Sequence, residues 1–236
     1  DAELNLRNAI IEVRGAAGGE EAKIWASELM RMYLRFAESR KFKVELLEED
    51  VIKIKGKGTF GIFKYEAGVH RVQRVPTTES SGRVHTSTAT VAVLPELEDV
   101  DFHVNEEDLK WEFYRSGGHG GQNVNKVSTA VRLIHLPTGV IVTCQTERYQ
   151  AKNREIALEL LRARLWEKQE EERLSKLTTE RKAQIGRGMR SEKIRTYNFP
   201  QDRVTDHRLG ASWHNIEKIM TGNMEEMTGD FSGFGR

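Results

Sequence analysis

Apolar and polar positions alternate along "NAIIEVRG", which predicts a strand ending at Gly15. The spacing then becomes helical. Over "GEEAKIWASELMRMYLRFAESR", apolar residues recur at Ile24, Leu29, Met32, Leu34 and Phe36, with acids in the first turn that complement the helix dipole. "KFKVELLEED" and "VIKIKG" return to alternation, a short segment from Phe60 to Tyr65 has helical spacing, and "VHRVQRVP" and "HTSTATVAVLPE" read as strands. The pattern resets between Asn105 and Asp108, where a domain boundary is expected. Beyond it "LKWEFYR" predicts a strand, and "STAVRLIHL", "PTG" and "VIVTCQ" predict a hairpin across a Pro/Gly turn. From Lys152 to about Gln184 a long helix is expected, with Ile156, Leu160, Ala163, Leu174 and Leu177 at helical spacing and one face packed on the hairpin. "GRGMRSEK" breaks it. "IRTYNFP" and "RVTDHRL" then read as strands, before a short helix from Asn215 to Met220.

Composition narrows the class. The 236 residues carry 37 Lys and Arg against 36 Asp and Glu, a formal net charge of +1, with 31% charged and 38% hydrophobic residues. This is the composition of a globular protein, and no run reaches the roughly 18 to 20 apolar residues of a membrane span. A balanced charge leaves room for local basic patches facing nucleic acid. The single cysteine, Cys144, excludes an intramolecular disulfide framework and a cysteine-rich zinc site. In its apolar strand it reads as a small buried hydrophobe rather than a nucleophile. No metal site and no cofactor are expected. The first residues, "DAELNLRNAI", resemble neither a signal peptide nor a native start, and the chain is expected to be a fragment.

Gly56, Gly58 and Gly61 have the spacing G-x-G-x-x-G, but no long helix opens at the third glycine, so a plain turn is expected. There is neither a GK[ST] phosphate loop nor an H-E-x-x-H pair. His207 in "VTDHR" reads as a structural histidine.

The unusual segment is "RSGGHGGQNVNKVSTAVR", with four glycines around His119. A long hairpin loop accounts for it as well as a functional reading does. On the functional reading, the glycines let backbone approach a substrate closely. Arg115, Lys126, Arg132, Arg148, Lys152 and Arg154 would then contact phosphates on an RNA-facing surface.

"GGHGGQNVNKVSTAVRLIHLPTGVIVTCQTERYQAKN" closely resembles the GGQ domain of bacterial-type class I peptide chain release factors, a family also found in organelles. "IEVRGAAGGEEA", "KYEAGVHRVQRVPTTESSGRVHTSTATVAVLPE" and "RSEKIRTYNFPQDRVTDHR" resemble further family segments in family order, so the likeness covers nearly the whole chain. The resemblance implies an α+β, multi-domain chain. A discontinuous codon-recognition α/β domain, residues 1–104 with the C-terminal segment 191–236, would receive an inserted GGQ α/β domain, residues 105–190, ending in the long helix. On this resemblance the family's N-terminal helical domain is expected to be missing from this chain, as from a fragment. Extra residues are expected between Glu48 and Val51, and the tail "TGDFSGFGR" departs from the family pattern.

The tripeptide Pro76-Thr77-Thr78 matches the P-x-T pattern of factors that read UAA and UAG, rather than the Ser-Pro-Phe type that reads UAA and UGA. By the same resemblance Thr78 would face the first two codon bases, and His85 would stack between the second and third. Gln73 and Thr86 would contact the third, and the helix start at Gly18 to Glu21 would admit uridine at the first position.

The implied reaction is ribosome-dependent hydrolysis of the peptidyl-tRNA ester. The Gln122 side chain cannot act as a base, because an amide does not titrate in the useful range. Its backbone N–H would instead stabilise the developing oxyanion, with Gly120 and Gly121 permitting the approach. Gln122 would also be N-methylated. Implied partners are the ribosome with its mRNA, rRNA and peptidyl-tRNA, a glutamine methyltransferase and a GTPase recycling factor, but no membrane. The implied setting is the bacterial cytoplasm or an organelle matrix. Two alternatives stand: a codon-independent rescue hydrolase, which would lack the codon-reading domain, and a noncatalytic ribosome-binding protein.

Overall fold

The computed structural model describes residues 2–96, 104–115 and 128–229. The chain divides into two units, one formed by residues 1–98 with 177–236 and the other by residues 99–176. Both mix sheet and helix, giving an α+β protein whose first unit is discontinuous in sequence.

The first unit opens with α1 (Ala2–Asn5), β1 (Ala9–Gly15) and α2 (Glu20–Ser39). Next come β2 (Lys43–Glu48), β3 (Val51–Lys55), α3 (Thr59–Phe63), β4 (Gly68–Arg74) and β5 (His85–Pro95). Its sheet has eight strands because the chain returns to it after the second unit. The second unit consists of β6 (Leu109–Tyr114), β7 (Ala130–His135), β8 (Val140–Cys144) and most of α4 (Gln150–Ile185). The returning segment supplies β9 (Lys193–Asn198), β10 (Arg203–Asp206) and β11 (Ala211–His214), then α5 (Ile216–Met220) and α6 (Glu225–Gly229). Strand order is β11-β10-β9-β4-β5-β1-β3-β2. Every pairing is antiparallel except β4 with β9, where Val72 faces Tyr197 and Gln73 faces Asn198. A parallel pair needs a long crossover, and here the whole second unit lies within it in sequence.

Alternation along β1 sends Ala9, Ile11 and Val13 to one face, and α2 packs there. The helix buries Trp25, Leu29, Met32, Tyr33 and Phe36 against that face, with Ile52 and Ile54 of β3 and Val91 and Val93 of β5. Each large side chain contributes about 1.5–3 kcal/mol of burial. The expected apolar stripe is out of phase in part: Ile24 and Leu34 are half-buried, whereas Trp25 and Tyr33 are fully enclosed. Trp25 meets Tyr197 edge-on, with ring centroids 4.9 Å apart. That contact joins α2 to a strand 172 positions later in sequence order, which local periodicity cannot report.

A charged network lies within this core. Arg195 is fully buried, with Nη1 donating to Glu66 at 2.6 Å and Nε to Asp206 at 3.1 Å. Arg208 also holds Asp206, through its backbone N–H and two guanidinium nitrogens. The Tyr33 hydroxyl donates to Glu66. Burial opposes the Glu66 charge, but the Arg195 guanidinium outweighs it and holds the carboxyl below its usual range.

The second unit is a three-stranded antiparallel sheet, β6-β7-β8, under the first turns of α4. Val131, Leu133, Val142 and Cys144 meet Ala157, Leu161 and Leu165. One face of the helix packs on the hairpin as expected, but of the residues noted at helical spacing only Ile156 packs against that cluster, and the buried row is Asn153, Ala157, Leu161 and Leu165. Leu160 and Leu174 are 44% and 55% exposed. A sequence this rich in Leu and Ala offers several candidate stripes, and the position of the hairpin selects one.

Three expectations about smaller features hold. Cys144 is buried, its thiol 3.3 Å from Asn153 Oδ1. The glycine-spaced segment is a turn, with Gly58 left-handed at φ +84° just before the five-residue α3. His207 is structural, 2.7 Å from the Thr196 hydroxyl. Strand β11 and the short helices α1 and α6 were not anticipated.

Candidate functional site

The hairpin β4–β5 organises the predicted recognition residues. Gln73 stands opposite Thr86, and Arg74 opposite His85, in its register. Neighbours along a strand point to opposite faces, so Gln73 and Thr86 share one face while Arg74 and His85 share the other. On the first face the Asn198 amide donates to Gln73 Oε1 at 3.3 Å, and the Gln73 carbonyl accepts from Phe199 N–H. On the second face lies the N-terminal end of α2.

Between the strands the Glu79 N–H donates to the Pro76 carbonyl at 3.1 Å, closing a four-residue turn. Pro76 is buried beneath it, and Thr77 and Thr78 stand exposed at its centre. Glu79 then fastens the loop. Its carboxylate accepts from the Ser81 amide and hydroxyl, and its other oxygen lies 2.6 Å from His85 Nε2. The Ser81 bonds, with His85 adding to them, hold the Glu79 carboxyl below its usual pKa. His85 is therefore tethered at its edge while its ring is exposed.

The start of α2 is held close by glycine. Gly18 has φ +132°, and a Cβ there would sit 2.2 Å from the Ser87 hydroxyl. Only glycine permits both that dihedral and that approach. Next to it, the Ala17 N–H donates to the Thr88 hydroxyl, and the Thr88 N–H donates to the Ala17 carbonyl. Glu21 is buried, and its Oε1 accepts from Arg74 Nε at 2.6 Å. Arg74 also donates to Glu28 and lies over the rings of Trp25 and Phe199. Burial opposes the Arg74 charge, but the bonds to Glu28 and Glu21 outweigh it and raise its pKa.

The structure thus brings Gln73, Pro76, Thr77, Thr78, His85, Thr86, Gly18 and Glu21 onto one hairpin and the adjoining helix tip. Arg74, Glu79 and Asn198 were missed by sequence reasoning. Arg74 and Glu79 flank the motif and could have been found by adjacency. Asn198 comes from a distant strand and carries no local signal.

The tripeptide Gly120-Gly121-Gln122 and Lys126 lie outside the described residues. Of the basic residues expected to meet RNA, Arg115, Arg148 and Lys152 are exposed, Lys152 lying 3.6 Å from Glu155. Arg132 faces Glu112 across β6 and β7 at 3.6 Å. The Arg154 guanidinium lies 4.7 Å from the Trp111 ring centroid and 5.7 Å from that of Phe113. Among the described residues no cluster of three or more His, Cys, Asp or Glu could hold a metal ion. Among them, too, no helix is long and apolar enough to cross a membrane.

Residues 1–91 match the PCRF domain family and residues 98–208 the RF-1 domain family. The chain is 53% identical over 229 residues to peptide chain release factor 1 of Thermotoga maritima, covering 93% of this chain and 67% of that protein. The chain belongs to the peptide chain release factor family. Peptide chain release factor 1 of Thermoanaerobacter pseudethanolicus is 52% identical over 94% of this chain and 65% of that relative. The same-named protein of Clostridium botulinum strain Langeland is 53% identical over 94% and 64%. The chain thus spans just under two thirds of these two release factors. Among solved structures, RF2 of Thermus thermophilus is similar at a TM-score of 0.57 and 38% identity, over 98% of this chain and 70% of that one.

Proposed function

We propose that this protein terminates translation by reading UAA and UAG in the ribosomal A site and promoting hydrolysis of the peptidyl-tRNA ester. The observation that carries the reading is the β4–β5 hairpin. It presents Thr78 at an exposed turn and divides the remaining recognition groups between two faces. A threonine hydroxyl both donates and accepts, so Thr78 suits a uridine followed by adenine. Gln73 and Thr86 offer donors and acceptors to either purine at the third position. His85, on the opposite face, stacks and separates that base from the first two. Gly18 to Glu21, packed beside Ser87 and Arg74, forms the wall at the first position.

In this reading the first unit is the codon-recognition domain, and the second carries Gly120, Gly121 and Gln122 to the ester. The Gln122 backbone N–H stabilises the oxyanion, and rRNA supplies most of the remaining apparatus. The exposed basic side chains of the second unit contact rRNA phosphates. Gln122 is a substrate for a glutamine methyltransferase, and a GTPase recycles the factor. The setting is the bacterial cytoplasm or an organelle matrix.

Peptide release from ribosomes programmed with each stop codon tests the reading. UAA and UAG release peptide at subsaturating factor, and UGA does not. Gln73→Ala and Thr86→Ala change the UAA-to-UAG ratio, since one discriminating contact is worth about 1–3 kcal/mol. Release on UGA equal to that on UAG would overturn the codon assignment, and release on sense codons would favour a rescue hydrolase.

A further inference from the structure

Helix α2 begins without a side-chain cap, since the residue before it is Gly19 at φ +61°. Arg74 of β4 holds this end instead. Its Nε donates to Glu21 at 2.6 Å and its Nη1 to Glu28 at 2.5 Å. Those two carboxylates stand seven positions apart, two turns along one face, so a single guanidinium fixes both the height of the tip and the rotation of the helix. The same guanidinium lies 5.7 Å from the Trp25 ring centroid and 5.3 Å from that of Phe199. The Phe199 N–H is bonded to the Gln73 carbonyl, so the second ring is tied to the neighbouring position of β4. Arg74 thus stands where α2, β4 and the end of β9 meet. Its side chain is 15% exposed and that of Glu21 7%. Among the described residues Arg74 is the only side-chain donor to the Glu21 carboxylate, whose Oε2 is buried with no hydrogen-bond partner.

We infer that Arg74 is a positioning residue for the first codon position, setting through Glu21 the separation between the α2 tip and the β4–β5 hairpin. This rests on the codon reading proposed above. Without Arg74 the Glu21 carboxylate is a buried charge with no donor, and a shift of the helix end toward water is what relieves it. Gly18 to Glu21 move with that end. Cytosine has the size of uracil and differs in the donors and acceptors on its edge, so rejecting it depends on where fixed groups stand rather than on room. Arg74 acts behind the base, and its loss is felt at the first position before the others. The second position is read by Thr78 on the exposed turn, which Arg74 does not hold.

The test is peptide release on ribosomes programmed with UAA, CAA or UGA over a range of factor concentrations, giving kcat/KM on each codon. Thermal melts serve as a fold control. Arg74→Lys keeps the charge but loses the planar fork that reaches both carboxylates, and Arg74→Met keeps only the apolar stem. The UAA-to-CAA ratio of kcat/KM is expected to fall about tenfold in Arg74→Lys and further in Arg74→Met, while the UAA-to-UGA ratio stays within about twofold. Glu21→Ala keeps the backbone of the tip. In that background Arg74→Met should change the UAA-to-CAA ratio by less than about twofold, because two residues acting as one unit are not additive. An unchanged UAA-to-CAA ratio in Arg74→Lys, equal losses in both ratios, or full additivity with Glu21→Ala would each overturn the inference. Arg74→Lys decides the outcome if Arg74→Met does not fold. A wild-type protein that releases peptide as readily on CAA as on UAA would refute the proposed codon reading instead.

Discussion

Acidification should weaken this protein through His70. The imidazole is fully buried, with Nε2 2.8 Å from the Glu66 carbonyl and Nδ1 3.4 Å from the Tyr197 hydroxyl. Donation from Nε2 to the carbonyl leaves Nδ1 to accept from Tyr197, so the neutral ring satisfies both partners. Burial and the Arg195 charge lower its pKa to about 4, and Arg208 adds to this. The Glu66 carboxylate and the bond to the Glu66 carbonyl oppose it. In the unfolded chain the ring titrates near 6.5. Between those two values the unfolded state binds the proton and the folded state does not, so stability falls as pH falls from about 6.5 toward 4. From pH 7 to pH 5 this one group removes about 2 kcal/mol. Urea unfolding of the wild type and of His70→Gln at pH 7, 6 and 5 measures it. A glutamine amide does not titrate, so the variant should lose about 2 kcal/mol less than the wild type over that range, whatever its stability at pH 7. Parallel losses in the two proteins would refute the reasoning.

Three further outcomes are expected. Gly18→Ala forces a left-handed φ and a clash with Ser87, costing about 1–3 kcal/mol; release should fall at subsaturating factor and recover at high concentration, and an unchanged melting temperature would contradict the strain. Arg195→Met strands Glu66 in the core and leaves Asp206 with Arg208 alone, which should cost about 3–5 kcal/mol in denaturant unfolding. Gln122→Pro removes the backbone donor and should abolish release, whereas Gln122→Ala keeps it and should retain substantial activity; equal release by the two would exclude a backbone-donor mechanism.

Strand alternation in "IIEVRG", "VIKIK" and "HTSTATVAV" and the helical spacing of α2 and α4 were legible in the sequence because each reflects a local period of 2 or 3.6. So were the tripeptide Pro76-Thr77-Thr78 and the glycine-rich segment, since their chemistry resides in contiguous residues. Which stripe of α4 is buried was not legible: Leu160 and Leu161 are equally apolar, and the placement of β7 and β8 decides between them. Asn198 beside Gln73 depends on the parallel pairing of β4 with β9, a contact made across the whole second unit in sequence. Asn153 reads locally as one more polar residue in a charged helix. Only packing against the hairpin brings the Thr129 and Glu147 carbonyls to its amide, because long-range pairing sets the environment that gives a side chain its role.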